Sequence, residues 1–139
     1  MSIESDRDLA GMREAGRITT EALDVLQSQV AVGITTAELD AAAAAVLKRH
    51  GARSAPALVY GFPGTVLISV NDEIVHGIPG RRQLREGDLV SLDVTIEKDG
   101  FVADAARSVI VARDRGRLDR WSMWPMHPFA WRSRLRGRV

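Results

Sequence analysis

Leu89-Val-Ser-Leu-Asp93-Val-Thr95-Ile-Glu-Lys98-Asp99-Gly100-Phe101-Val-Ala-Asp104 reads as a β-hairpin. Val90, Leu92, Val94 and Ile96 alternate with Ser91, Asp93 and Thr95, the period-two pattern of a strand with one dry and one wet face. Asp99-Gly100 is a strong two-residue turn signal, because both central residues of such a turn take positive φ. With that turn, Lys98 stands opposite Phe101, Thr95 opposite Asp104, and Asp93 opposite Ala106. Directly opposed residues share a face. Asp93 and Asp104 are therefore diagonal neighbours on one side, with α-carbons about 7–8 Å apart.

Two carboxylates aimed at one point repel each other unless a proton or a cation lies between them. Carboxylate oxygens suit divalent metals, and two-metal sites use acidic ligands that bridge the ions. The spacing alone also fits a plainer reading, in which Ser91, Asp93 and Thr95 keep a strand face wet. A one-residue bulge would send one of the two aspartates to the other face. His76 has two readings as well: a structural histidine near a strand end, or a neutral imidazole that donates to a substrate carbonyl or amide. Asn71, Asp72 and Glu73 beside it read as turn formers.

Outward from the hairpin, the first segment has helical periodicity. Ser5 fits an N-cap, with Asp6 and Asp8 in the first turn. Leu9, Met12, Gly16, Thr19, Leu23 and Leu26 recur at three- and four-residue steps until Gly33. Thr35-Thr-Ala-Glu38 fits a capping box that opens a second helix, and Gly51 stands where a C-cap belongs. Pro56 and Gly61-Phe-Pro-Gly64 signal loops, and Thr65–Val70 is β-rich. The order points to an α+β fold, two helices packed on a mainly antiparallel sheet. After Ala112 the pattern stops. The segment 113–139 holds Trp121, Trp124 and Trp131, with Pro125 and Pro128 between them, and predicts no regular element.

The 139 residues suffice for one compact domain, and 45% apolar with 27% charged residues is ordinary for a folded one. The N-terminus lacks an apolar core, so it does not read as a secretory signal, and no run is long enough to span a membrane. Without cysteine, disulfides and thiol chemistry are excluded. A cytoplasmic location is the expectation. The net charge of +1 conceals a split: residues 1–112 carry 11 Lys+Arg against 16 Asp+Glu, and residues 113–139 carry 8 Arg against 2 Asp. Arginines and tryptophans together can grip phosphates and stack on bases, yet the segment lacks amphipathic order and the body is acidic, which weighs against nucleic acid as a partner.

Ser69-Val-Asn-Asp-Glu-Ile-Val-His76-Gly-Ile-Pro79, then Glu86-Gly-Asp-Leu-Val-Ser-Leu-Asp93-Val-Thr95, Lys98-Asp-Gly-Phe101 and Asp104 together resemble the type I methionine aminopeptidases. Met12-Arg-Glu-Ala-Gly-Arg17 and Gly33-Ile-Thr-Thr-Ala-Glu-Leu-Asp40 agree too, so the resemblance covers roughly residues 4–112. It implies the N-terminal half of a pita-bread fold, a fold built from two similar halves. It implies Asp93 as a metal ligand, Asp104 as the bridging ligand and Thr95 as their support. It implies His76 as a catalytic residue that contacts the substrate near the scissile bond, and Phe62 as a wall of the methionine pocket. The implied reaction is removal of the N-terminal methionine of nascent polypeptides, near the ribosome, by water activated at two divalent ions (Co, Mn, Fe or Zn).

The departures are equally specific. The family's remaining ligands, a His and two Glu, lie in the second half of its fold, and residues 113–139 hold only His127 and no Glu. Pro56 and Val59 also depart from residues typical of the pocket loop. The expectation is an aminopeptidase half-domain over 1–112, followed by an unrelated Arg- and Trp-rich tail over 113–139, disordered or out-of-frame. Such a truncated chain would expose apolar surface, hold metal through at most a partial site, and have its activity impaired or lost. The alternative is a non-catalytic fragment or binding module that retains the half-site.

Overall fold

A computed structural model of the chain describes residues 3–112. Helix α1 spans Asp6–Gln29 and α2 spans Thr36–His50; strands β1 (Arg53–Ser54), β2 (Leu67–Val70), β3 (Leu89–Lys98) and β4 (Phe101–Ile110) follow, with a short helix α3 (Ala55–Tyr60) between β1 and β2. The reading of 113–139 as an unrelated tail lies outside the described residues.

The helices begin and end where their sequences provide for it. The Ser5 hydroxyl accepts the Asp8 N–H, satisfying one of the free donors of the first turn. Thr35 and Glu38 form the full capping box: Thr35 Oγ1 accepts the Glu38 N–H, and Glu38 Oε2 accepts the Thr35 N–H. Gly51, at φ 61°, closes α2 with its N–H on the last carbonyls.

α3 corrects the loop expected around Pro56. Proline lacks an N–H, but in the first turn of a helix that N–H would have no partner anyway. Pro56 sits there, behind Ser54, whose hydroxyl accepts the Ala57 N–H. Gly61 ends the helix in the left-handed region at φ 69°. The helix is therefore one turn and a half that the two punctuating residues enclose, rather than a loop they interrupt.

β3 is the centre of the sheet. β4 pairs with it along its whole length on one side, and β2 and β1 share its other side, all antiparallel. The turn at Asp99 (φ 51°) and Gly100 (φ 89°) sets the expected register, with Thr95 opposite Asp104 and Asp93 opposite Ala106. No bulge intervenes. Val90, Leu92, Val94 and Ile96 are fully buried against Ile18, Ala22 and Leu26 of α1 and Leu39 and Ala43 of α2. Burying a side chain of this size contributes about 1.5–3 kcal/mol. Gly11 lets α1 approach the hairpin tip, because a Cβ there would overlap the Phe101 ring.

The two helices thus cover one face of the sheet. The opposite face carries Ser91, Asp93, Thr95, Asp104 and Ala106, with Leu89, Val102 and Ile110 exposed among them. The apolar exposure expected of the sheet is present, but as a border around polar residues rather than as a continuous apolar face.

Candidate metal centre and substrate rim

The open face brings Asp93, Thr95 and Asp104 together. Thr95 Oγ1 donates to Asp104 Oδ1 at 2.9 Å across the hairpin. Asp93, one pair further along, is half-buried, and burial raises its carboxyl above the ordinary carboxylate range. The negative charge of Asp104 and a hydrogen bond shared with it push in the same direction, while His76 pulls the other way. The two carboxylates therefore interact directly, with their charges in conflict.

His76 reaches this neighbourhood through a loop, not a strand. Ile74 to Gly77 form no strand, because the chain turns at Asn71 (φ 58°) and folds back along β2. Asn71 is tied to the start of β3 by its own N–H and side chain, which bond Leu89 O and the Leu89 N–H at 2.9 Å each. Further on, Ile68 N–H donates to Gly77 O at 3.0 Å, and the Gly77 N–H donates to Ser69 Oγ at 3.1 Å. A Cβ at Gly77 would overlap the Ile68 carbonyl, so only glycine allows this approach. His76, immediately before it, is held at φ 59°, a region that costs a non-glycine residue energy and that is found disproportionately at functional sites.

The His76 ring stacks on Tyr60 with centroids 6.1 Å apart and planes 12° from parallel. Tyr60 in turn meets Phe62 edge-on at 6.3 Å. Phe62, expected in the pocket wall, is connected to His76 through Tyr60. Tyr60 is the residue that sequence reasoning passed over; the Tyr60-Gly-Phe-Pro63 cluster was its only signal. Leu58, Val59, Ile74, Val75 and Ile78 are exposed on the same two segments.

Hard carboxylate oxygens in a mutually repelling pair, Asp93 half-buried and Asp104 exposed, fit a divalent cation better than they fit bare solvent. Among the described residues, however, no third His, Cys, Asp or Glu joins them in a cluster that could hold a metal ion. The donor set fits a metal in kind and falls short of one in number.

The sequence profile of metallopeptidase family M24 matches residues 10–120. The chain belongs to this family. It is 42% identical over 113 residues to a methionine aminopeptidase of Staphylococcus epidermidis, covering 81% of this chain and 45% of that protein. It is 40% identical over 119 residues to methionine aminopeptidase 2 of Bacillus subtilis, covering 85% and 48%. The solved methionine aminopeptidase of Rickettsia prowazekii superposes with a TM-score of 0.76 at 32% identity, covering 86% of this chain and 48% of that one. The M24 chain described here thus spans about half the length of the curated relatives it matches. Its helices and antiparallel sheet correspond to the N-terminal portion of their pita-bread fold.

Proposed function

We propose that residues 1–112 carry half of the site of a metal-dependent aminopeptidase that removes N-terminal methionine from nascent polypeptides. The convergence of Asp93 and Asp104 on the open face carries this reading. A divalent ion bound there (Co, Mn, Fe or Zn) would polarise the scissile carbonyl and lower the pKa of water. Asp93 and Asp104 would be its ligands, Asp104 the one shared between two ions. Thr95 fixes the Asp104 carboxylate so that it needs no reorientation on binding. His76, on a strained backbone and backed by Tyr60, donates to the substrate near the bond to be cut. Phe62 and Tyr60 offer an apolar wall for the methionine side chain.

The same observation limits the activity. Two carboxylates do not complete a two-metal site, so the half-site of the described residues holds metal weakly and supports slow methionine release or none. The second reading, a non-catalytic fragment that keeps the half-site, rests on the lack of a third ligand among the described residues. Methionine release from a short Met-Ala peptide, with manganese or cobalt added, separates them. Turnover that disappears in Asp104→Ala supports the enzyme; complete inactivity alongside measurable metal binding supports the fragment. As to location, no helix among the described residues is long and apolar enough to cross a membrane. A cytoplasmic site of action near the ribosome, where new N-termini emerge, fits the proposed substrate.

A further inference from the structure

We propose that β4 is a pairing edge: a second copy of this chain lays its own β4 antiparallel along it, across a two-fold at Ala105, and a divalent cation couples the two half-sites that meet there. The proposal rests on the reading of Asp93 and Asp104 as metal ligands. β3 is the centre of the sheet and β4 is its edge. In a hairpin closed by the two-residue turn Asp99-Gly100, Lys98 and Phe101 exchange hydrogen bonds, and so does every second pair after them. Val102, Asp104, Ala106, Ser108 and Ile110 therefore aim their N–H and C=O groups away from β3. Among the described residues no strand meets them there. Exposed edges are commonly blunted by a proline, a lysine or a bulge, and Phe101–Ile110 has none of these. Its two charged residues are engaged within the chain, Asp104 by Thr95 at 2.9 Å and Arg107 by Asp24 at 2.8 Å.

Charge fixes the occupant and the register. A two-fold normal to the sheet keeps both open faces on the same side. With Asp104 or Arg107 on the axis, like charges would stand directly opposite, which destabilises a sheet. With Ala106 on the axis, the two Arg107 side chains become diagonal neighbours. Ala105 is small and exposed. With it on the axis, Asp104 faces the partner's Ala106, Val102 faces the partner's Ser108, and Ala103 faces the partner's Arg107. The two Asp104 residues are then diagonal neighbours on the open face, with α-carbons about 7–8 Å apart. That is the relation Asp93 already has to Asp104 within one chain. Asp93, Asp104, the partner's Asp104 and the partner's Asp93 form a zigzag across four adjacent strands. Each half-site lacks a third ligand among the described residues, and a second copy supplies carboxylates on the same face at the same spacing. Without metal the carboxylates repel and the chain stays monomeric. A divalent cation removes the repulsion, so metal and dimer each favour the other. In dilute protein only the weak half-site is left.

Sedimentation velocity on the full chain, in EDTA and in manganese, tests this from low to high micromolar protein. The expected result is a monomer in EDTA, a dimer in manganese at high protein concentration, and a return to monomer on chelation. Ala105→Lys puts two like charges directly opposite on the axis. It should stay monomeric in manganese while keeping its far-UV circular dichroism and the weak manganese binding of the half-site, read by calorimetry. An unaltered chain that binds manganese yet stays monomeric at every concentration overturns the dimer and leaves the half-site reading standing. A chain that binds no manganese overturns both. A dimer of equal strength in EDTA overturns the coupling to metal, and a well-folded Ala105→Lys that still dimerises overturns the register. The measurements on the unaltered chain stand even if the variant fails to fold.

Discussion

Thr95 and Asp104 stand opposite each other across the β3–β4 hairpin, and the threonine hydroxyl holds one carboxylate oxygen at 2.9 Å. The bond turns a register into an oriented carboxylate. Asp104 would otherwise sample several rotamers on an exposed strand, and freezing it on binding would cost affinity. Because Asp93 follows on the same face one pair away, the turn at Asp99-Gly100 ultimately determines the distance between two carboxylates.

Thr95→Val keeps the shape of the side chain and removes the hydroxyl. The fold should lose about 0.5–1.5 kcal/mol, as expected for one hydrogen bond in a partly exposed setting. Manganese affinity should fall by about 10-fold, the low end of what supporting residues contribute at metal sites. Thermal unfolding with and without manganese measures both, and a change in stability alone would reduce Thr95 to a structural role.

Asp93 makes a pH prediction whose sign follows from its raised pKa. In the native state the carboxyl holds its proton to a higher pH than the ordinary value of about 3.8, so between the two values the folded chain binds more protons than the unfolded one. Stability therefore falls as pH rises through the native pKa, and at neutral pH the Asp93 charge opposes folding. Asp93→Asn should raise Tm by a few degrees at neutral pH and flatten its dependence on pH between acid and neutral. Manganese should raise the Tm of the unaltered chain and leave that of Asp93→Asn almost unmoved. A lower Tm for Asp93→Asn across the whole range would show that the charge conflict is not there.

Gly77→Ala tests the loop that presents His76. The added methyl would meet the Ile68 carbonyl, which belongs to β2 and cannot turn aside as a side chain could. A loss of about 1–3 kcal/mol is expected, typical of overpacking, together with separation of His76 from Tyr60. Changes in the histidine ring resonances by NMR would report the second effect. A variant as stable as the parent would mean that the loop is not anchored at Gly77.

The hairpin, the caps of both long helices and the buried stripe of β3 were legible in the sequence because each is set by residues close together in the chain. Asp99-Gly100 admits one turn, Thr35 and Glu38 cap each other, and a period of two needs no distant partner. Pro56 misled for the same reason in reverse: read locally it breaks structure, but behind Ser54 it starts a helix. The path of residues 71–80 was not legible. It depends on Gly77 lying against Ile68 and on His76 meeting Tyr60, contacts that only the folded chain creates. Asp93 and Asp104 could be placed side by side from the register, but nothing in that register revealed that no third acidic or histidine side chain joins them among the described residues.

Manganese titration by calorimetry on the unaltered chain, Asp93→Asn and Asp104→Asn tests the central claim most directly. The two-carboxylate site predicts saturable but weak binding to the unaltered chain, with Kd on the order of 10⁻⁴ M or above, as for sites with few charged ligands. It predicts that either substitution abolishes that binding. Tight binding, or binding that survives both substitutions, would contradict it.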